Sequence, residues 1–255
     1  MKMIRLATVA ALTTTIFAGG LNAFAEEVGF GITDNTVSFE ASDAEDEDID
    51  VEIPGGPEVP EEIDPVDPID PEQGGNGPLR ILYVPETFDF NTNTISVNDQ
   101  WYDMAAEQYA ANGGTSTVPY ASFAQIIDTR GTHEGWVLSV NVSDFSNAAG
   151  DVLSGAALAF DGGIVEYESH LENSTPSAHD VELAAGGAAQ NILSADDGQG
   201  AGRSSVYWMN DGEENPHIRL FVPGATSQSA TEYNAELTWI LSSTVAASGE
   251  TVPGA

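Results

Sequence analysis

The segment Arg130-Gly131-Thr132-His133-Glu134-Gly135-Trp136-Val137-Leu138-Ser139-Val140-Asn141-Val142-Ser143-Asp144-Phe145 is a glycine-flanked loop that runs into an alternating stretch. From Trp136 the apolar side chains fall at Trp136, Leu138, Val140 and Val142, with Ser139 and Asn141 between them. A period of two sends alternate side chains to opposite faces, so this is a strand with one face in a core. The pattern returns in Tyr233-Asn234-Ala235-Glu236-Leu237-Thr238-Trp239-Ile240-Leu241-Ser242. There Leu237, Trp239 and Leu241 share one face, while Glu236, Thr238 and Ser242 take the other.

Outward from these two strands, residues 78–255 carry short apolar runs punctuated by Gly, Ser, Asp and Asn. Leu79-Arg80-Ile81-Leu82-Tyr83-Val84 reads as a strand stopped at Pro85, which has no N–H to give to a ladder. Phe88-Asp89-Phe90 before Asn91-Thr92-Asn93 reads as a strand end and a turn. Residues 123–128 read as a strand entering the Arg130-Gly131 turn, with 136–142 as its hairpin partner or near neighbour. Residues 156–160, 164–167, 206–209 and 218–222 add further short strands. Residues 101–111, rich in Ala and free of Pro and Gly, suggest instead a loop with one or two turns of helix. Short strands with this punctuation, and no long amphipathic helix, predict an all-β domain: a β-sandwich of immunoglobulin-like or related type with long loops.

Upstream, residues 1–25 have the layout of a secretory signal peptide. Lys2 and Arg5 precede an apolar run from Leu6 to Phe17, and Ala23-Phe24-Ala25 is a small-x-small cleavage site. Thr13, Thr14 and Thr15 keep that run short of the roughly 20 apolar residues a membrane span needs. Residues 26–42 form an N-terminal segment in which Thr36-Val37-Ser38-Phe39-Glu40 is a candidate edge strand. Residues 43–77 then hold acid runs, the near-repeat Val66-Asp67-Pro68-Ile69-Asp70-Pro71 and a Gly74-Gly75-Asn76-Gly77 end. Dense proline favours extended backbone and like charges stiffen it, so this tract is expected to be a disordered acidic linker. Asp46-x-Asp48-x-Asp50 opens like a calcium loop, but Val51 and Pro57 stand where such a loop needs Gly and Glu. Diffuse cation condensation is the expectation there.

Outside the signal segment, four arginines face 41 acidic residues, a formal charge of −37. Phosphate binding needs a cationic footprint, which makes nucleic acid an improbable partner. Anionic wall polymers would oppose attachment at neutral pH, and protonation of carboxylates in an acidifying medium would relax that repulsion. The sequence has no cysteine, so stability must come from burial without disulfides. The terminal Glu250-Thr251-Val252-Pro253-Gly254-Ala255 carries neither an apolar tail nor a basic stop, so any wall attachment is expected to be non-covalent.

Candidate chemistry is sparse. His133, His170, His179 and His217 lack metal-ligand spacing, so no metal and no cofactor is expected. There is no Gly-x-Ser-x-Gly elbow, and the glycine pairs do not join a strand to a helix as phosphate cradles do. Carboxylate pairs that could serve glycoside hydrolysis arise by chance in so acidic a chain. For the two Trp-x-Leu strands two readings stand. Trp136, Leu138, Trp239 and Leu241 could fill a sandwich core, or a Trp at a strand end could stack on a sugar or plug a partner's groove. If the motif residues are core, Trp101 and Trp208 are the candidate exposed contacts.

Asp128-Thr129-Arg130-Gly131-Thr132 with Gly135-Trp136-Val137-Leu138-Ser139-Val140, and Tyr233 to Ser242, resemble the proximal and distal motifs of WxL-domain surface proteins of low-GC Gram-positive bacteria. Leu79-Arg80-Ile81-Leu82-Tyr83-Val84-Pro85 and the Asp-Pro linker behind a signal peptide are also similar to that family. The resemblance implies a secreted protein held non-covalently on the cell surface by peptidoglycan. It also implies assembly with other WxL proteins and a membrane-anchored partner, and adhesion to host matrix in some members. The motif positions carry over as Trp136, Leu138, Trp239 and Leu241. Members often carry large adhesive regions ahead of the domain, whereas this chain has a linker there. The leading expectation is a non-enzymatic module that docks on peptidoglycan. The alternatives are an interaction subunit for a membrane-anchored or host-matrix protein, with wall association indirect, and a glycan-active enzyme.

Overall fold

The computed structural model describes residues 37–38, 51–55, 63–65, 75, 77–168 and 174–243. The chain divides into two units, Met1–Phe39 and Glu40–Ala255, and every strand among the described residues lies in the second. The expected signal segment, residues 1–25, the candidate edge strand apart from Val37 and Ser38, His170 and residues 244–255 lie outside the described residues.

The described secondary structure is strands and turns, with no helix. In order the strands are β1 (Ile63–Pro65), β2 (Leu79–Tyr83), β3 (Gln100–Ala105), β4 (Glu107–Ala111), β5 (Ser116–Tyr120), β6 (Ser122–Asp128), β7 (Trp136–Val142) and β8 (Ala157–Phe160). They continue with β9 (Ile164–Tyr167), β10 (Ser177–Ala178), β11 (Val181–Ala184), β12 (Gln190–Ala195), β13 (Gly202–Trp208), β14 (Glu214–Val222) and β15 (Leu237–Ser243). Three four-stranded sheets, β10-β12-β7-β15, β11-β8-β14-β3 and β2-β6-β13-β9, are joined by a three-stranded one, β1-β4-β5. Every pairing is antiparallel.

The inner faces of the three larger sheets meet in one apolar core, as the alternation predicts for a sandwich. Phe160 of β8 is its hub. Its ring lies 5.2 Å from Trp208 of β13, 5.9 Å from Phe88 and 6.2 Å edge-on from Trp239 of β15, so one side chain stitches all three sheets.

Three expectations are corrected. Residues 101–111 fall in β3 and β4 and carry no helix. Their Ala, Asp and Gln have little intrinsic strand preference, but β14 pairs along residues 100–105 and β5 along 107–111, and that tertiary pairing decides the backbone. Strands β6 and β7 do not form a hairpin: β6 lies between β2 and β13, β7 between β12 and β15, so residues 129–135 cross from one sheet to another. Phe88-Asp89-Phe90 is irregular rather than a strand end; Asp89 O accepts from Ala105 N at 2.7 Å, and Asn91 makes the turn with φ 61°.

Two pieces of the acidic tract pack on the domain. Glu52 N donates to Gln125 Oε1 at 3.0 Å, Gln125 Nε2 returns a bond to Glu52 O at 2.7 Å, and Tyr120 OH donates to Pro54 O. β1 pairs with β4, so Ile63 reaches a second, smaller core with Tyr83, Tyr109, Tyr120 and Phe123.

Glu107 sits against this smaller core. Burial pushes its carboxyl up to about 7, against the opposing hydrogen bond donated by Tyr83 OH. Burial also raises the Tyr109 phenol, with the Glu107 charge adding to it. Between the ordinary glutamate value of 4.5 and about 7 the folded state therefore holds more protons than the unfolded one. Stability from this group is full below 4.5, falls as pH rises through that window, and levels off above it, a loss of at most about 3 kcal/mol. Glu107→Gln should flatten the slope of unfolding free energy against pH and raise stability at about pH 7.5. An unchanged slope in urea titrations across the window would contradict this.

Candidate functional site

The two Trp-x-Leu stretches, distant in sequence, are neighbours in space. β7 and β15 pair antiparallel with Leu138 opposite Leu241, Val140 opposite Trp239 and Trp136 opposite Ser243. The ladder continues past Val142: Ser143 N donates to Glu236 O at 2.9 Å, Glu236 N donates to Ser143 Oγ at 2.8 Å, and Ser146 and Asn234 exchange backbone bonds. Glu236 beside Ser143 keeps the register, and Asn234 opposite Ser146 lies one residue out of it, an irregularity at the opening of the second motif.

Opposed residues in a pleated pair point to one face, and here that face is the core. Trp136 and Leu138 are fully buried, and Trp239 and Leu241, on the edge strand, are half-buried against the same core. Trp136 also donates from Nε1 to Gly200 O at 3.1 Å. Gly200 has φ +70°, and a Cβ there would lie 2.6 Å from Trp136 Nε1, so both the bond and the packing require glycine. Trp208, expected as an exposed contact if the motif residues were core, is only 1% exposed and packs on Phe160, because β13 is a central strand of its sheet. Trp101 lies on the surface at 40% exposure.

The residue that sequence reading passed over is Arg130. Its Nε and Nη2 clamp both oxygens of Asp128, at 2.9 and 2.8 Å. Nη2 also reaches Glu134 O at 2.6 Å, and Nη1 reaches Ser243 Oγ at 2.8 Å. The Asp128 bonds hold the guanidinium protonated above its ordinary value. One side chain therefore ties the end of β6, the crossing loop and the end of β15. Gly131 at φ +69° and His133 at φ 57° let that loop fold back, and His133 O accepts from Gly198 N, beside the Gly200 carbonyl under Trp136. The Asp128-x-Arg130 spacing was the available signal, since an i,i+2 pair across a turn can form such a fork.

The outer face of this sheet has a different character. Ser139 stands opposite Ile240 and Asn191, Asn141 opposite Thr238, and Val137 opposite Ser242 and Ser194. Ser139 Oγ donates to Asn191 Oδ1 at 2.9 Å, and Ile240 is 41% exposed. No residue of β7, β10, β12 or β15 is charged. Each of the other three sheets carries charge in its strands, at Arg80, Glu107 and Arg219 among others. No cluster of metal-ligating side chains occurs among the described residues.

No curated protein and no solved structure matches the chain. A family model, WxL domain surface cell wall-binding, matches residues 26–244, which takes in the N-terminal segment, the acidic tract and both motif strands. With both tryptophan motifs inside that match and paired in one sheet, the chain belongs to the WxL-domain family of surface cell wall-binding proteins.

Proposed function

We propose that this cell-surface domain attaches non-covalently to peptidoglycan, as a non-enzymatic part of a surface protein complex, and docks through the outer face of the motif sheet. The observation that carries the reading is the charge-free composition of that sheet in a chain of formal charge −37 outside its signal segment. Anionic wall polymers repel the rest of the surface, so approach costs least where local charge is lowest. Hydroxyls and amides of Ser139, Asn191, Thr238 and Ser242 match the hydroxyl and acetamido groups of a glycan, and Ile240 offers an apolar spot for a sugar ring. On this reading Trp136, Leu138, Trp239 and Leu241 act from behind, holding the face flat and in register.

A second reading rests on a different feature. Among the described strands β15 ends its sheet, and an edge strand presents backbone groups that an extended segment of a membrane-anchored or host-matrix protein could pair with.

The test is sedimentation of residues 26–255 with purified, protein-free peptidoglycan, alongside Ile240→Asp. The wild type should bind saturably, and the new charge on an already exposed position should weaken binding about tenfold or more while the fold persists. Absence of saturable binding by the wild type would transfer the function to the protein-partner reading. Unchanged binding by the variant would remove the docking face.

A further inference from the structure

A second cleft lies away from the motif sheet, on the outer face of β11-β8-β14-β3. Here β8 presents only Ala157 and Ala159 outward, while its neighbours present long side chains: Arg219 and Glu182 stand opposite Ala159, and Phe221 opposite Ala157. Methyl groups between long neighbours make a trough. It has a volume of about 240 Å³ and is lined by Trp101, Ala159, Asp161, Asp180, Glu182 and Arg219.

Trp101 is fixed yet accessible. Its ring lies 5.0 Å from Phe221, and the Arg219 guanidinium sits 4.8 Å from the ring centroid. Arg219 is itself held by an ion pair with Asp161. At 40% exposure the indole is a rigid platform whose side-chain entropy has already been lost in folding. The same tryptophan also lines an adjoining cleft of about 610 Å³ with Asn91, Asn93, Gln108, Glu213 and Glu214. Trp101 is common to both clefts.

We propose that this double cleft is a saccharide-binding site in which a pyranose ring stacks on Trp101 and flanking rings extend to either side. An aromatic platform between carboxylates and amides suits a ligand that is apolar on its ring faces and rich in hydroxyls at its edge. Asp161, Asp180, Glu182, Asp103, Glu213 and Glu214 outnumber the single cation lining the clefts, Arg219, so uronic acids and phosphorylated sugars are disfavoured and a neutral oligosaccharide is favoured. The site is separate from the motif face and stands whether or not that face docks on the wall.

The experiment is titration of residues 26–255, followed by calorimetry and tryptophan fluorescence, with two probes: the neutral tetramer of β-1,4-linked N-acetylglucosamine, and soluble glycan strands released from peptidoglycan. Saturable binding of the neutral tetramer that depends on Trp101 supports the site, and the glycan strands, anionic through their lactyl or stem-peptide carboxylates, should bind more weakly in the acidic cleft; tighter binding of the strands would overturn the neutral-ligand assignment. Trp101→Ala should weaken binding about tenfold or more, and Glu182→Ala, at an exposed position, should weaken it several-fold. The weakening caused by Trp101→Ala should be the same in the Ile240→Asp background as in wild type, since the two positions lie on different sheets, which separates failure here from failure of the motif face. Binding of neither probe, or equal binding by wild type and both cleft variants, would overturn the proposal.

Discussion

Trp136→Ala is expected to lower the unfolding free energy by about 3–5 kcal/mol, the usual cost of emptying a fully buried tryptophan site. Two losses combine. The side chain is completely enclosed where β7 lies between β12 and β15, and its Nε1 is the donor that satisfies Gly200 O. Collapse cannot refill the space cheaply, because β-sheet pairing fixes the backbone on both sides. Urea titration of the variant against wild type measures this, and a change below about 1 kcal/mol would mean that the ring is not enclosed as described. The same result bears on binding assays: a Trp136→Ala protein that fails to bind wall does so by unfolding, not by losing a contact.

The second large effect is expected at Arg130. Asp128 has a side chain only 2% exposed, and Arg130 neutralises it with a two-bonded fork. Arg130→Ala leaves a buried carboxylate without that partner and should cost about 3–5 kcal/mol. Arg130→Lys should recover little, since an ammonium cannot make the fork, reach Glu134 O and hold Ser243 Oγ at once. Asp128→Asn in the Arg130→Ala background should restore part of the loss, because the buried charge is gone. Denaturant midpoints of the four proteins decide this, and an Arg130→Ala protein as stable as wild type would contradict the clamp.

Both effects concern residues near or within the two motifs, and they show how far the sequence could be read. Strands β7 and β15 were legible because one face is buried and the apolar period is two, the signal that burial itself imposes, whereas β2 and β6 were read as short apolar runs ended by Pro85 and by the Arg130-Gly131 turn, β6 being buried on both faces. Strands β10, β11 and β12 carried no such signal at their lengths, and β3 with β4 read as loop or helix because Ala, Asp and Gln give no alternation. Those segments become strands through partners far away in the chain. The crossing from β6 to β7 was hidden for a related reason: a turn sequence specifies a change of direction, not which sheet receives the next strand.

The site was partly legible on the same terms. Recurrence of Trp-x-Leu marked Trp136, Leu138, Trp239 and Leu241, but whether such residues face core or ligand depends on what covers them, and only the pairing of β7 with β15 decides that. Trp208 lies in a short run that looked peripheral, yet β13 is central. The uncharged face could not be seen as a surface until four segments spread over residues 136–243 were laid side by side.

The most direct test of the central claim, that the paired motif strands are a buried scaffold beneath a neutral wall-facing sheet, is hydrogen–deuterium exchange of residues 26–255 free and bound to purified peptidoglycan. Amides of β15 at the sheet edge should gain protection on binding, while those of β7, already bonded on both sides, should be slow in either state. Protection confined to other sheets, with β15 unchanged, would contradict the assignment of this face to the wall.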